Sequence, residues 1–201
     1  MHPANTALLA IDVQNDFCPG GALAVTDGDG VVPVINSLMD DYATTLLTQD
    51  WPPAEHSSFA ANHPDATPYS MIDMPYGPQI LWPIHCVQGS QGAAFHTDLR
   101  TDRADLIIRK GFRSQIDSYS AFFENDQTTP TGLDGYLKTR GISNLALTGL
   151  ATDFCVAYSA IDAAKLGFKV TVLLDACRAI DLDGSLQKSL RDMRDAGVTL
   201  K

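Results

Sequence analysis

Four side chains that could take part in catalysis follow short apolar runs in this sequence. Asp12 ends the run TALLAID, Asp50 ends TTLLTQD, and Lys110 lies near the end of DLIIRKG. Cys155 follows the run NLALTGL after a short polar turn. A thiol attacks as its thiolate, a carboxylate can accept the thiol proton, and a cation favours the charged forms. These residue types therefore indicate nucleophilic catalysis by cysteine.

The local sequence around Cys155, GLATDFCV, predicts a turn followed by a helix. With Thr152 or Asp153 as the helix cap, Cys155 would lie in the first turn, where the helix dipole favours a negative charge. The thiol pKa would then fall, and the backbone N–H groups of Ala151 and Cys155 could bind an oxyanion. Cysteine is also among the residues most often buried for packing alone. The spacing by itself leaves both interpretations open.

The apolar runs are continuous rather than alternating, which is typical of strands covered on both faces of a parallel sheet. Strands are predicted at 6–12, 44–50, 105–111, 144–150, 169–175 and 198–200, with helices near 31–40, 131–140, 153–166 and 184–196. This alternation predicts an α/β fold with a three-layer, doubly wound, mainly parallel sheet, in a single domain over residues 1–201.

Ligands bind at the carboxyl ends of the strands in such sheets. Asp12, Lys110 and Cys155 are therefore expected to converge, although they are far apart in the chain. Asp175 also ends an apolar run and is interpreted as a strand-end cap. The segment from Trp51 to His96 is rich in Pro, His and aromatic residues, and a loop of that length inside a compact domain is usually functional.

Composition argues against several classes of partner. Fourteen Lys and Arg against 24 Asp and Glu give a formal charge of -10, which disfavours nucleic acid and anionic membranes. The first residues have no basic segment before the apolar run, and no stretch of 18 apolar residues occurs, so a cytoplasmic location is predicted. The four cysteines form no CxxC pair and are expected to be reduced. Whether the chain assembles into a homo-oligomer stays open.

Several longer blocks carry a resemblance to a known family: AIDVQNDFCPGGALAV, TQDW, SSFAANH, WPIHCVQGSQGAAFH, KG at 110, DSYSAFF and GLATDFCV. Over nearly its whole length, the chain resembles the nicotinamidase (pyrazinamidase) family of isochorismatase-like cysteine hydrolases. The resemblance implies the isochorismatase-like hydrolase fold and a catalytic triad of Asp12, Lys110 and Cys155. It also implies a cis peptide bond between Ala151 and Thr152 that shapes the oxyanion hole.

The resemblance further implies a reaction in two halves. Asp12 takes the proton of Cys155, the thiolate adds to the nicotinamide carbonyl, ammonia leaves, and water hydrolyses the thioester to nicotinate. This reaction would serve NAD salvage, with pyrazinamide as a second substrate. Two alternatives stay open: a related hydrolase that acts on another small amide with a weakened or absent metal site, and a non-catalytic binding protein.

The resemblance implies one divalent metal ion beside the triad, namely zinc, with iron or manganese as other choices. The family's ligands are the Asp of D-W-H, the His of the same motif and the His of W-P-x-H. Asp50 and His85 match the first and last, but Pro52 stands where the middle histidine is expected, and proline has no donor atom. His56 matches a position that some members use, so the expected ligands are Asp50, His56 and His85 with water. A weakened site, or a substrate without a pyridine nitrogen, stays open.

The resemblance also implies which residues bind the flat aromatic substrate: Phe17, Trp82 and Tyr119, with Leu23 near them. Aromatic walls with few polar groups suit such a ligand. The alternative for Phe17 and Tyr119 is ordinary core packing. Trp82 is tied more closely to the site because it shares the WPIH motif with His85.

Overall fold

The computed structural model describes residues 2–201. Its strands, in chain order, are β1 (Thr6–Ile11), β2 (Thr44–Asp50), β3 (Met71–Met74), β4 (Gly77–Ile80), β5 (Leu106–Lys110), β6 (Asn144–Leu150), β7 (Lys169–Arg178) and β8 (Thr199–Leu200). Six of them form a parallel sheet in the order β5-β2-β1-β6-β7-β8, while β3 and β4 pair as an antiparallel hairpin. The predicted α/β class with a mainly parallel sheet is confirmed.

Four α-helices flank this sheet in residues 2–201: α1 (Val31–Leu38), α2 (Leu133–Thr139), α3 (Ala157–Lys165) and α4 (Ser185–Asp195). They match the four predicted helical segments but are shorter. The helix α3 starts four residues later than expected, because Thr152–Val156 forms a wider π-helical turn. None of the helices in the described chain is long and apolar enough to cross a bilayer.

The continuous apolar runs behave as expected for strands covered on both faces. Every residue of β1 and of β2 is buried, including the threonines and the carboxylate at the end of β2. Burial of this kind requires a partner for each polar side chain, because an unpaired buried polar group is costly. Thr48 and Asp50, toward the carboxyl end of β2, have their partners in the site described below.

Two features differ from the sequence prediction. The β3–β4 hairpin lies within the long segment that showed no periodicity, and its partly exposed four-residue strands gave no clear pattern. Asp175 does not cap a strand end: β7 continues to Arg178 after a register shift opposite Leu147 and Gly149, and the Asp175 side chain is exposed. The single domain over residues 1–201 stays a prediction.

The strand order explains where the site forms. From β1 the chain moves outward through β2 to β5, and it then returns to place β6 on the other side of β1. The order therefore reverses between β1 and β6. Such a switch point leaves a crevice at the carboxyl ends of the two strands, where ligands bind in open α/β sheets.

Candidate active site

Four neighbouring strands deliver the candidate residues to one edge of the sheet. Asp12 follows β1, Asp50 ends β2, and Lys110 ends β5 directly opposite Asp50 in the β2–β5 register. Cys155 lies in the turn after β6, the neighbour of β1 on the other side. The parallel arrangement therefore brings together four side chains that are spread over more than 140 residues of sequence.

Lys110 is the centre of the charged cluster. Its Nζ lies 2.8 Å from Asp12 Oδ2, 3.2 Å from Asp50 Oδ1 and 3.5 Å from Cys155 Sγ. It also donates a hydrogen bond of 2.8 Å to the Ser118 carbonyl, and the side chain is 1% exposed. Burial acts to lower the pKa of Lys110, but the Asp12 and Asp50 carboxylates outweigh it and raise that pKa well above its usual range. The buried lysine is therefore an ammonium ion.

Asp12 is held by a residue that sequence analysis did not single out. Thr48, in the middle of β2, donates from its hydroxyl to Asp12 Oδ1 at 2.6 Å and accepts from the Asp12 N–H at 3.1 Å. Asp12 itself adopts a left-handed backbone conformation, with φ of 49°, at the end of its strand. Burial raises the pKa of Asp12, while Lys110 and Thr48 act in the opposite direction. A carboxylate with a raised pKa is a better proton acceptor.

The pKa of the Cys155 thiol differs from the expectation. Its pKa is raised well above the usual range, first by burial and then by the Asp12 and Asp50 charges, against the lowering effect of Lys110. The expected fall in this pKa is therefore wrong for the free protein. A raised pKa favours the neutral thiol in the free protein, and the Lys110 ammonium lies 3.5 Å from its sulfur.

The turn that carries Cys155 differs from the prediction in two further ways. Neither Thr152 nor Asp153 caps it: the Asp153 carboxylate accepts hydrogen bonds from the backbone N–H groups of Ile180 and Asp181. The cis peptide bond joins Leu150 and Ala151, one residue earlier than expected, because the sequence pattern marks the turn without fixing which of its bonds is cis. The backbone N–H groups of Phe154 and Val156 both donate to the Ala151 carbonyl at 3.1 Å. The N–H groups of Ala151 and Cys155, which are the expected oxyanion donors, take no part in these two bonds.

A cavity lies against Cys155 and Lys110. All four predicted pocket residues line it: Phe17, Leu23, Trp82 and Tyr119. Phe154 and Ile180 complete its apolar wall, and sequence analysis missed both. Ile180 follows β7 without any pattern of its own, so no signal in the sequence marked it.

The three predicted metal ligands do not assemble. Asp50 Oδ2 and His85 Nε2 face each other at 3.4 Å, but both ring nitrogens of His56 contact other groups, Ser58 Oγ at 2.8 Å and the Ile116 carbonyl at 3.2 Å. Accordingly, no group of three His, Cys, Asp or Glu side chains with metal-binding geometry occurs among residues 2–201. The prediction of an Asp50, His56 and His85 ligand set is corrected, because hydrogen bonds already use both His56 nitrogens.

Asp50 and His85 instead form a buried acid–imidazole pair. Burial acts against ionisation of Asp50, yet Lys110 and His85 lower its pKa to about 2. Burial acts to lower the pKa of His85, but the Asp50 carboxylate outweighs it and raises that pKa. His85 Nδ1 lies 2.8 Å from the Pro83 carbonyl, which directs Nε2 toward Asp50.

Comparison with known proteins gives consistent matches over almost the whole chain. The family model described as Isochorismatase domain matches residues 6–200. The nicotinamidase of Acinetobacter baylyi is 55% identical over 194 residues, which are 96% of this chain and 91% of that protein.

Two solved structures extend the match to three dimensions. The Acinetobacter baumanii nicotinamidase/pyrazinamidase superposes with a TM-score of 0.98 at 55% identity and covers 100% of this chain and 97% of its own. The pyrazinamidase of Pyrococcus horikoshii in complex with zinc superposes with a TM-score of 0.78 at 33% identity and covers 98% of both chains.

Proposed function

This chain belongs to the isochorismatase family, and from that premise we propose that its cavity hydrolyses nicotinamide to nicotinate and ammonia with Cys155 as the nucleophile. One observation carries the proposal: a thiol, a carboxylate and a buried ammonium ion meet at an aromatic cavity, at the switch point of the sheet. The chain is an amidohydrolase, and the two Acinetobacter relatives that are 55% identical to it over nearly its full length are nicotinamidases.

The first half-reaction is acylation of the enzyme. The Cys155 proton moves to the Asp12 carboxylate as sulfur adds to the carbonyl carbon of the carboxamide. The backbone N–H groups of Ala151 and Cys155 donate to the oxyanion that forms. Asp12 then gives the proton to the leaving nitrogen, and the carbon–nitrogen bond breaks to release ammonia and leave a thioester.

The second half-reaction returns the enzyme to its starting state. Asp12 takes a proton from a water molecule, which adds to the thioester carbonyl. The carbon–sulfur bond breaks, the proton on Asp12 returns to Cys155, and nicotinic acid leaves and ionises in solvent to nicotinate. Each proton that Asp12 receives is passed on, so the residue is unchanged over one cycle.

Lys110 supports these reaction steps by its charge rather than by proton transfer. Its ammonium lies within 3.5 Å of both Asp12 and Cys155, so it favours whichever of them is negative. Because the pKa of the thiol is raised in the free protein, formation of the buried thiolate is costly. The lysine therefore offsets part of the cost of burying that charge.

Replacement of Thr48 by valine should lower kcat/KM for nicotinamide about tenfold, because one hydrogen bond to the Asp12 carboxylate is lost. The bond from the Thr48 hydroxyl lowers the pKa of Asp12, so its loss should raise that pKa further. The activity requires ionised Asp12 and falls as the pH falls through this pKa, so the acid limb of the rate profile should move to higher pH. Thr148→Val, at a buried threonine that contacts the Leu9 carbonyl, is the matched control. An unmoved acid limb in Thr48→Val would contradict this role.

The metal that the family implies does not fit the residues that the structure brings together. Asp50 and His85 supply two facing donors, whereas a zinc site that keeps an open position uses three protein ligands. His56 would have to break hydrogen bonds to Ser58 and to the Ile116 carbonyl to become the third. The mechanism therefore contains no step through a metal ion.

Metal content follows from this geometry. After preparation with zinc and removal of free metal, we expect less than about a tenth of an equivalent bound to the protein, because the ligand set is incomplete. Pro52→His should raise the content toward one equivalent, because it restores the third donor that the sequence resemblance implies. Pro53→His is the control, because it adds a histidine to the same segment at the neighbouring position. One full equivalent in the unmodified chain, measured by atomic emission, would contradict the two-donor site.

Ammonia release tests the proposed substrate directly. Nicotinamide and pyrazinamide should both be hydrolysed, and nicotinamide should be preferred over a panel of aliphatic amides because the cavity walls are aromatic. Faster hydrolysis of an aliphatic amide, with none of nicotinamide, would favour the alternative of a related amidase. We also propose a cytoplasmic location, since a thiol nucleophile must stay reduced.

A further inference from the structure

Gln79, on strand β4 of the hairpin, is a buried amide that does not itself line the cavity. It is 1% exposed. Its Nε2 lies within hydrogen-bond distance of Asp117 Oδ2 at 2.7 Å, the Tyr119 hydroxyl at 3.0 Å and the Ile80 carbonyl at 2.7 Å. A buried amide with so many partners holds one orientation, because rotation would leave several polar groups unpaired.

The side-chain carbonyl oxygen of Gln79 accepts hydrogen bonds from two further segments. Its Oε1 accepts from the Tyr76 hydroxyl and from Asn125 Nδ2, each at 3.2 Å. Tyr76 lies in the turn between β3 and β4, and Asn125 belongs to the loop that joins β5 to α2. Gln79 therefore connects the hairpin to the segment 117–125.

Two partners of Gln79, Asp117 and Tyr119, line the cavity. The Tyr119 hydroxyl oxygen accepts from Gln79 Nε2 and from Trp82 Nε1, both at 3.0 Å. The rings of Tyr119 and Trp82 meet edge to face, with centroids 6.1 Å apart. Two donors on one phenol oxygen fix the orientation of this aromatic wall.

We propose that Gln79 is a positioning residue that sets the affinity of the cavity for its aromatic substrate by orienting Tyr119 and, through it, Trp82. This inference rests on the proposed function. Gln79 makes none of the recorded contacts of Cys155 or Asp12, so its effect should appear in KM and not in the chemical step. The hairpin thus serves the active site without contacting the reacting atoms.

The test compares steady-state kinetics of Gln79→Met, which keeps the length of the side chain but removes its hydrogen bonds, with those of Gln115→Met. Gln115 is exposed and its side-chain amide donates to the hydroxyl of its neighbour Ser114, so this variant is the matched control. Gln79→Met should raise KM for nicotinamide about tenfold and change kcat less than about threefold, because the lost bonds act on binding. Gln115→Met should behave as the parent does.

A second pair of variants keeps the test decisive if Gln79→Met does not fold. Tyr119→Phe retains the ring but removes the oxygen that both donors share, and it should raise KM in the same way. Gln79→Glu keeps an acceptor toward Tyr76 but replaces the donor toward Asp117 by a second carboxylate, so its KM should rise at least as far as that of Gln79→Met. An unchanged KM in the folded variants, or a loss confined to kcat, would overturn the proposal. Hydrolysis of nicotinamide by the parent protein in the same assay tests the proposed function separately.

Discussion

Replacement of Cys155 by alanine should abolish the release of ammonia from nicotinamide, with a loss on the order of 10⁴-fold or more in kcat, because the atom that forms the acyl bond is gone. The Asp12 and Lys110 pair remains in contact at 2.8 Å without the sulfur, so the buried charges stay paired. The variant should therefore fold, and its free energy of unfolding should change by about 1 kcal/mol through the small cavity left by the thiol. Ammonia assays and thermal unfolding measure the two effects.

The matched control is Cys177→Ala. Cys177 is equally a buried free cysteine, but it lies in β7 and does not line the cavity. Its replacement should leave kcat for nicotinamide within about threefold of the parent, since it touches no reacting group. Full activity in Cys155→Ala, or equal losses in both variants, would refute the role of the Cys155 thiol.

Replacement of Lys110 by methionine should remove activity and also lower the free energy of unfolding by about 3–5 kcal/mol at neutral pH, because it leaves two buried carboxylates without their cation. Asp12 and Asp50 both lie within 3.2 Å of the lysine Nζ in the parent protein. Both effects are expected together only if the lysine is the shared counter-ion of the site. Ammonia release and chemical denaturation measure them.

The contribution of Asp50 to the pH dependence of stability should have opposite signs in the parent and in Lys110→Met. In the parent, the pKa of Asp50 is lowered to about 2, so its contribution to stability is present at neutral pH and is lost as the pH falls toward that value. In Lys110→Met the pKa values of both carboxylates should rise, so protonation on acidification should recover part of the lost stability. Lys169→Met, at an exposed lysine, is the control. A Lys110→Met protein as stable as the parent at neutral pH would contradict the buried ion cluster.

The sequence was sufficient to predict the six strands of the parallel sheet and the convergence of the triad residues, because continuous apolar runs and parallel-sheet topology are strong constraints. Asp12, Lys110 and Cys155 each follow such a run, and ends of parallel strands must lie on one edge. The residues that support them were not predictable in the same way. Thr48 and Gln79 act through side-chain hydrogen bonds between distant segments, and no local pattern encodes such a pairing.

The pKa of the Cys155 thiol and the hydrogen bonds of His56 show a second limit of prediction from the sequence. Proximity to a helix start and to a lysine suggested a lowered pKa for Cys155, but burial and two nearby carboxylates outweigh those effects. His56 has a suitable residue type and a suitable place in the chain, yet Ser58 and the Ile116 carbonyl occupy its ring nitrogens. Residue type and spacing identify candidates, whereas burial and competing hydrogen bonds decide what those candidates can do.

The acyl-enzyme at the centre of the mechanism can be tested by partitioning in the presence of hydroxylamine. Nicotinamide and the methyl ester of nicotinate would form the same thioester on Cys155, so both substrates should give one ratio of hydroxamate to nicotinate at a given hydroxylamine concentration. Cys155→Ala should give neither product from either substrate above the rate measured without enzyme. Ratios that differ between the two substrates would mean that water attacks the bound amide directly, and the proposed nucleophilic role of Cys155 would be wrong.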